Sequence, residues 1–144
     1  MIDGRRVFLD TSGLYAAADP AAADHQAASR ALAHLLDSRS SLLSTDLVVA
    51  ETHGLTLGRI GPGPALALID RVARSGRLEL IEAGLDRIER GIEFLRSRPG
   101  RRLSVTDAVS FHVMWERSVS VAFTLDGDFL AEGFTVFPEP IAAR

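Results

Sequence analysis

The chain has 144 residues, 47% hydrophobic and 24% charged, which suits one domain over residues 1–144 and excludes wholesale disorder. It has no Cys, which rules out disulfides, thiol catalysis and Cys-ligated zinc. The formal net charge is −3 and all 16 cationic side chains are Arg, which disfavours extensive duplex binding and removes Lys from any mechanism.

Taken in chain order, Arg6 to Leu9 reads as a strand, followed by a short helix from Gly13 that Asp19-Pro20 closes. Ala22 to Leu36 is an Ala- and Leu-rich helix, and Leu42-Leu43 a short strand. Leu47 to Gly58 reads as a helix, Gly61 to Pro64 as a loop, and Ala65 to Ala73 as a second helix. Leu78 to Ile81 is a strand, and Leu85 to Leu95 a helix with apolar residues at helical spacing. Val105 to Glu116 is nearly apolar on all sides, which predicts a buried central helix. Val119 to Thr124 is a strand, Phe129 to Ala131 a helical turn closed by Gly133, and Phe134 to Phe137 a last strand. Strands alternating with helices predict an α/β fold, three layers deep, with a central parallel sheet of about five strands. No apolar run has a signal-peptide pattern or reaches membrane-spanning length, so a cytoplasmic protein with no membrane partner is expected.

In such sheets ligands bind beyond the carboxyl ends of the strands, where strand order reverses. Two acids stand at predicted strand ends. Asp10 follows Val7-Phe8-Leu9, and Asp126 follows the apolar run through Leu125. Glu51 lies in a helix with Leu47, Val48 and Leu55 three or four residues away, which places a carboxylate on the apolar stripe. Asp107 opens the most apolar helix. Each has a structural reading. Asp10 can be a turn residue, Ser104-x-x-Asp107 a capping box, and Leu125 to Asp128 an Asx turn. Glu51 can be paired with a buried Arg, because a lone buried carboxylate costs several kcal/mol. Read jointly, two strand ends and two helices can bring the four acids to one edge. Their mutual repulsion would be relieved by a hard divalent cation, Mg²⁺ or Mn²⁺, and such centres suit phosphoryl chemistry.

The ordered blocks "FLDTSGLYA", "VVAETHGL", "LSVTDAVSF" and "FTLDGDF" resemble the signature blocks of PIN-domain ribonucleases, and most nearly those of the VapC toxins of bacterial toxin–antitoxin pairs. The likeness runs from Phe8 to about Phe137. It implies that Asp10, Glu51, Asp107 and Asp126 are the catalytic acids, with Asp10, Asp107 and Asp126 holding the metal and Glu51 a ligand or a water-orienting group. Ser12 would help hold the first acid, Thr106 fills the polar position before the third, and Asp128 is either an outer ligand or a helix cap. It further implies RNA as substrate, products with a 5′-phosphate and a 3′-hydroxyl, a VapB-like antitoxin beside the site, and a homodimer.

Arg96, Arg98, Arg101 and Arg102 precede the Asp107 helix, either as a solvated loop or as a grip on RNA phosphates. Trp115 and Tyr15 are candidates to stack bases, with Trp115 expected in the core. His25, His34, His53 and His112 lack the spacing of a helical zinc site and read as structural or surface residues. A PIN-fold RNA-processing nuclease outside a toxin–antitoxin pair is the alternative. An aspartyl-phosphate enzyme is disfavoured by the absence of Lys, and a pure binding module is the third reading.

Overall fold

The computed structural model describes residues 5–140. Among them are five strands: β1 (Arg6–Leu9), β2 (Ser41–Thr45), β3 (Leu78–Ile81), β4 (Val121–Phe123) and β5 (Thr135–Phe137). All neighbours pair in parallel, in the order β3-β2-β1-β4-β5. The helices are α1 (Thr11–Ala18), α2 (His25–Asp37), α3 (Asp46–Ile60), α4 (Pro62–Ala73), α5 (Gly84–Arg96), α6 (Val105–Glu116) and α7 (Gly127–Ala131). From β1 the chain steps outward through β2 to β3, then returns to the other side of β1 as β4. Right-handed crossovers put the helices of these two legs on opposite faces, giving the expected α/β/α layering. Helix α1 accordingly packs on α2, α3 and α4, while α5 packs on α6.

Val7, Phe8 and Leu9 are fully buried, as a strand between two parallel neighbours requires. Phe8 meets Phe129, and Phe111 packs edge-on against the same ring at 4.9 Å, so α6 and α7 share one aromatic core with the sheet. Helix α1 lies close to β4 because residue 13 has no side chain. A Cβ there would stand 2.9 Å from the Phe123 carbonyl oxygen and 3.0 Å from its ring.

The boundaries differ from the sequence reading where caps decide them. Helix α1 starts at Thr11 rather than Gly13, because Asp10 itself is the N-cap. Helix α2 starts at His25, three residues after Ala22. The Gly-Pro stretch is not a loop. Gly61, at φ +104°, breaks the helix, and Pro62 opens α4 at once, where a missing N–H carries no penalty. Strand β4 ends at Phe123, so Thr124 already belongs to the site loop. Helix α6 is buried along Ala108, Val109, Phe111, Val113 and Met114, but Trp115 is 44% exposed, which corrects its expected core position. Its ring closes an aromatic ledge with Phe94 and His112 over the buried Phe111.

Candidate active site

Strand order reverses between β1 and β4, and the crevice beyond their carboxyl ends holds Asp10. Its backbone N–H donates to the Phe123 carbonyl at 3.0 Å, continuing the ladder one residue past the strand. Asp10 is 3% exposed, and one of its carboxylate oxygens is committed. Oδ2 accepts from the Thr124 hydroxyl at 2.8 Å, the Ser12 hydroxyl at 2.9 Å and the Ser12 N–H at 3.3 Å. Oδ1 carries none of these bonds. Among the described residues no side-chain oxygen is both sealed from water and without a partner, so Oδ1 keeps access to the crevice. Ser12 thus steadies Asp10 as expected, and it also accepts from the Leu125 N–H at 2.9 Å, tying α1 to the other strand end.

Thr124 was missed in the sequence. Its hydroxyl donates to Asp10 and accepts from the Asp126 N–H at 2.9 Å, so it joins the two acid-bearing loops. A hydroxyl closing an otherwise apolar run two residues before Asp126 was the available signal.

Asp126 is the N-cap of α7, its Oδ1 accepting the Asp128 N–H at 2.9 Å. Asp107 closes a capping box with Ser104, Oδ2 accepting the Ser104 N–H at 3.0 Å. The cap and the site position coexist, because capping occupies one oxygen only. Thr106 precedes it on the first turn of α6 and gives its carbonyl to Ser110. Asp128 turns its Oδ1 to Arg101 at 3.0 Å.

The loop arginines divide. Arg101 bridges Asp128 and Glu132, and Arg98 also reaches Glu132 at 3.4 Å while lying 4.0 Å over the Phe94 ring. These two fasten the loop before α6 to helix α7. Arg96 pairs with Glu93 on the surface, and Arg102 is exposed. Tyr15 is buried and its hydroxyl donates to Asp19, so it offers no face for a base.

Glu51 departs from the reading as a buried carboxylate. The line of α3 that enters the core is Val48, Thr52 and Thr56, whereas Glu51 is exposed at the rim. The two small hydroxylated residues are buried because each has a partner. Thr56 donates to the Thr52 carbonyl at 2.7 Å, and Thr52 donates to Thr11 at 3.3 Å. Thr11, next to Asp10, then points its hydroxyl at Glu51 across a long 3.5 Å contact. The i, i+4 threonines were the signal that the buried stripe ran one residue away from Glu51.

Burial pushes the Asp10 carboxyl up to about 6, against the bonds from Thr124 and Ser12 that lower it, with Asp107 and Asp126 adding to the rise. Burial likewise raises Asp126, helped by the charges of Asp107 and Asp128. Three carboxylates therefore share one field. All donors are hard oxygens, which fits Mg²⁺ or Mn²⁺. Among the described residues no three acidic or imidazole groups stand close enough together to enclose an ion by themselves.

No family model matches the chain. The 23S rRNA-specific endonuclease VapC20 of Mycobacterium tuberculosis is 33% identical to it over 135 residues, covering 92% of this chain and 99% of that protein. This chain belongs to the VapC-type PIN-domain ribonucleases. The VapC20 crystal structure, of a toxin described as cleaving the Sarcin-Ricin loop, superposes with a TM-score of 0.80 at 30% identity, over 90% of this chain and 96% of that one. Ribonuclease VapC26 of M. tuberculosis is 29% identical over 120 residues, 83% of this chain and 86% of its own length. VapBC2 from Rickettsia felis, crystallised on promoter DNA, shares the fold at a TM-score of 0.62 and 14% identity, over 91% of this chain and 96% of that one. In this VapC-type chain the blocks that carry the resemblance deliver Asp10, Asp107 and Asp126 into one electrostatic field and Glu51 to its rim.

Proposed function

We propose that this chain is a Mg²⁺- or Mn²⁺-dependent endoribonuclease toxin that hydrolyses RNA phosphodiester bonds and is neutralised by a VapB-like antitoxin. The observation that carries the reading is that Asp10 and Asp126 stand at adjoining strand ends, joined through the Thr124 hydroxyl at the switch point of the sheet, with the charge of Asp107 acting on both. The activities named for VapC20 and VapC26 support it. Bound there, a divalent cation supplies polarisation of the scissile phosphate and a lowered pKa for the attacking water.

The chain's own residues set up the rest. Asp10 offers Oδ1, because Ser12 and Thr124 fix its other oxygen. Asp107 offers the oxygen its capping box leaves over, and Asp126, whose carboxyl the Asp107 charge helps raise, opens α7. In this reading Glu51, which the Thr11 hydroxyl contacts, orients water from the rim, and Thr106 precedes Asp107 on the first turn of α6. In this reading Arg96, at the end of α5, and Arg102, in the loop before α6, are the cations that reach RNA phosphates, while Arg98 and Arg101 hold α7. Helices α2 and α3 are the antitoxin-facing surface in this reading, and the toxin is a homodimer. No helix among the described residues is long and apolar enough to cross a membrane.

The test is cleavage of structured RNAs, with mapping of product ends. Cleavage in Mg²⁺ or Mn²⁺ that leaves 5′-phosphates and stops in EDTA is expected. Cleavage that persists in EDTA, or in Asp126→Asn, would refute it.

A further inference from the structure

A pocket of about 270 Å³ opens beside the acidic crevice, between the start of α2, the β4–α7 turn and the segment after β5, with Asp126 in its wall. Its apolar lining includes Leu125 and Leu130, which are 36% and 53% exposed, and Pro138. The two leucines and the proline line one concavity, the setting in which an apolar ring face is taken from water. Asp24 and Glu139 are the other acids in its lining, and no cationic side chain among the described residues lines it. Asp24 stands at the N-cap of α2 yet makes no capping hydrogen bond, although a carboxylate there ordinarily does, so its oxygens stay unspent. Away from a bound cation, this acidic lining disfavours a phosphate. A heterocycle is not disfavoured, because carboxylates accept from its N–H groups while the apolar walls take its faces.

We infer that this pocket is the subsite for one nucleobase of the substrate RNA, stacked on Leu125, Leu130 and Pro138 and read along its N–H edge by Asp24 and Glu139. This rests on the endoribonuclease reading, since the shared wall at Asp126 is what puts the base next to a scissile phosphate. Guanine fits best. It presents two adjacent donors, N1–H and the N2 amine, to a carboxylate that can only accept. Uracil offers one donor between two carbonyls that would face the acids. Inosine is guanine without the amine and isolates that contact.

The test uses fluorescently labelled hexauridine carrying one central guanine, inosine or uracil, with binding read by anisotropy in EDTA so that no cleavage enters. The guanine hexamer is expected to bind the wild-type protein about tenfold more tightly than the inosine one. Asp24→Asn/Glu139→Gln should bind the two alike, and Leu130→Ala should weaken all three hexamers together. Equal binding of guanine and inosine by the wild type, or a preference kept in the double variant, overturns the subsite. So does a Leu130→Asp variant that loses self-association on a gel-filtration concentration series while its RNA affinity stands, since the pocket would then seat a second copy. The same hexamers and structured RNAs, given Mn²⁺, test the nuclease separately. A base preference without any cleavage would sink the enzymatic reading and leave the base site standing, and cleavage without preference would do the reverse.

Discussion

Asp10 is held where its charge is least welcome. Its carboxyl sits at about 6 instead of the ordinary Asp value of 3.8, chiefly because it is buried. Between those pH values the folded chain binds a proton that the unfolded chain does not. Stability of the metal-free protein therefore falls as pH rises from about 4 to about 6, and the deficit persists above. The displacement corresponds to about 3 kcal/mol, as an order of magnitude. Asp10→Asn keeps an oxygen for Ser12 and Thr124 but removes the charge. It is expected to melt higher than the wild type at pH 7.5 in EDTA, with the gain gone at pH 4, while losing RNA cleavage. Thermal melts across that pH range check this, and a pH-independent difference would mean that burial of charge is not the cause. Thr124→Val belongs to the same scale. It removes one donor to Asp10 and one acceptor for the Asp126 N–H, at about 1–3 kcal/mol in stability by urea unfolding.

At the scale of elements, the site depends on how closely α1 and α7 are drawn to the sheet. Gly13 lets α1 meet β4, and Gly13→Ala would drive a Cβ into the Phe123 carbonyl. A loss of about 1–3 kcal/mol is expected, together with weakened cleavage, because Asp10 moves with the start of the helix. Gly58→Ala, in the interior of α3 with open space around it, is the control and should be neutral or stabilising. Helix α7 spans five residues and relies on being stapled. The Glu132 side chain after it is only 9% exposed and takes two arginines. Arg101→Gln is expected to speed amide exchange in α7 and lower cleavage together, as Asp126 loses its fixed place. Unchanged exchange there would show that the aromatic contacts of Phe129 suffice.

The whole molecule is a sheet that delivers charge to its own switch point, and much of that was legible in the chain. Apolar runs that end abruptly on Asp10 and near Asp126 reveal both strand tips, and the alternation with helices gives the parallel sheet. Three features were harder to read from the chain. Glu51 was misplaced by one helical step because Thr52 and Thr56, polar in sequence, are the buried residues once they find hydrogen-bond partners. Trp115 lies on a helix apolar enough to hide it, but the ledge formed with Phe94 and His112 stops at the surface. The pairing of Arg98 and Arg101 with Glu132 joins residues about thirty positions apart, a distance no local pattern spans. All three are decided by what packs opposite, not by the order of residues along one element.

The central claim is that Asp10, Asp107 and Asp126 act as one divalent-cation site, and a Mn²⁺ titration at pH 7.5 followed by calorimetry tests it most directly. The wild-type protein is expected to bind Mn²⁺, and Asp10→Asn, Asp107→Asn and Asp126→Asn should each weaken binding by about tenfold or more. Full Mn²⁺ affinity in any one of the three variants would contradict the shared site.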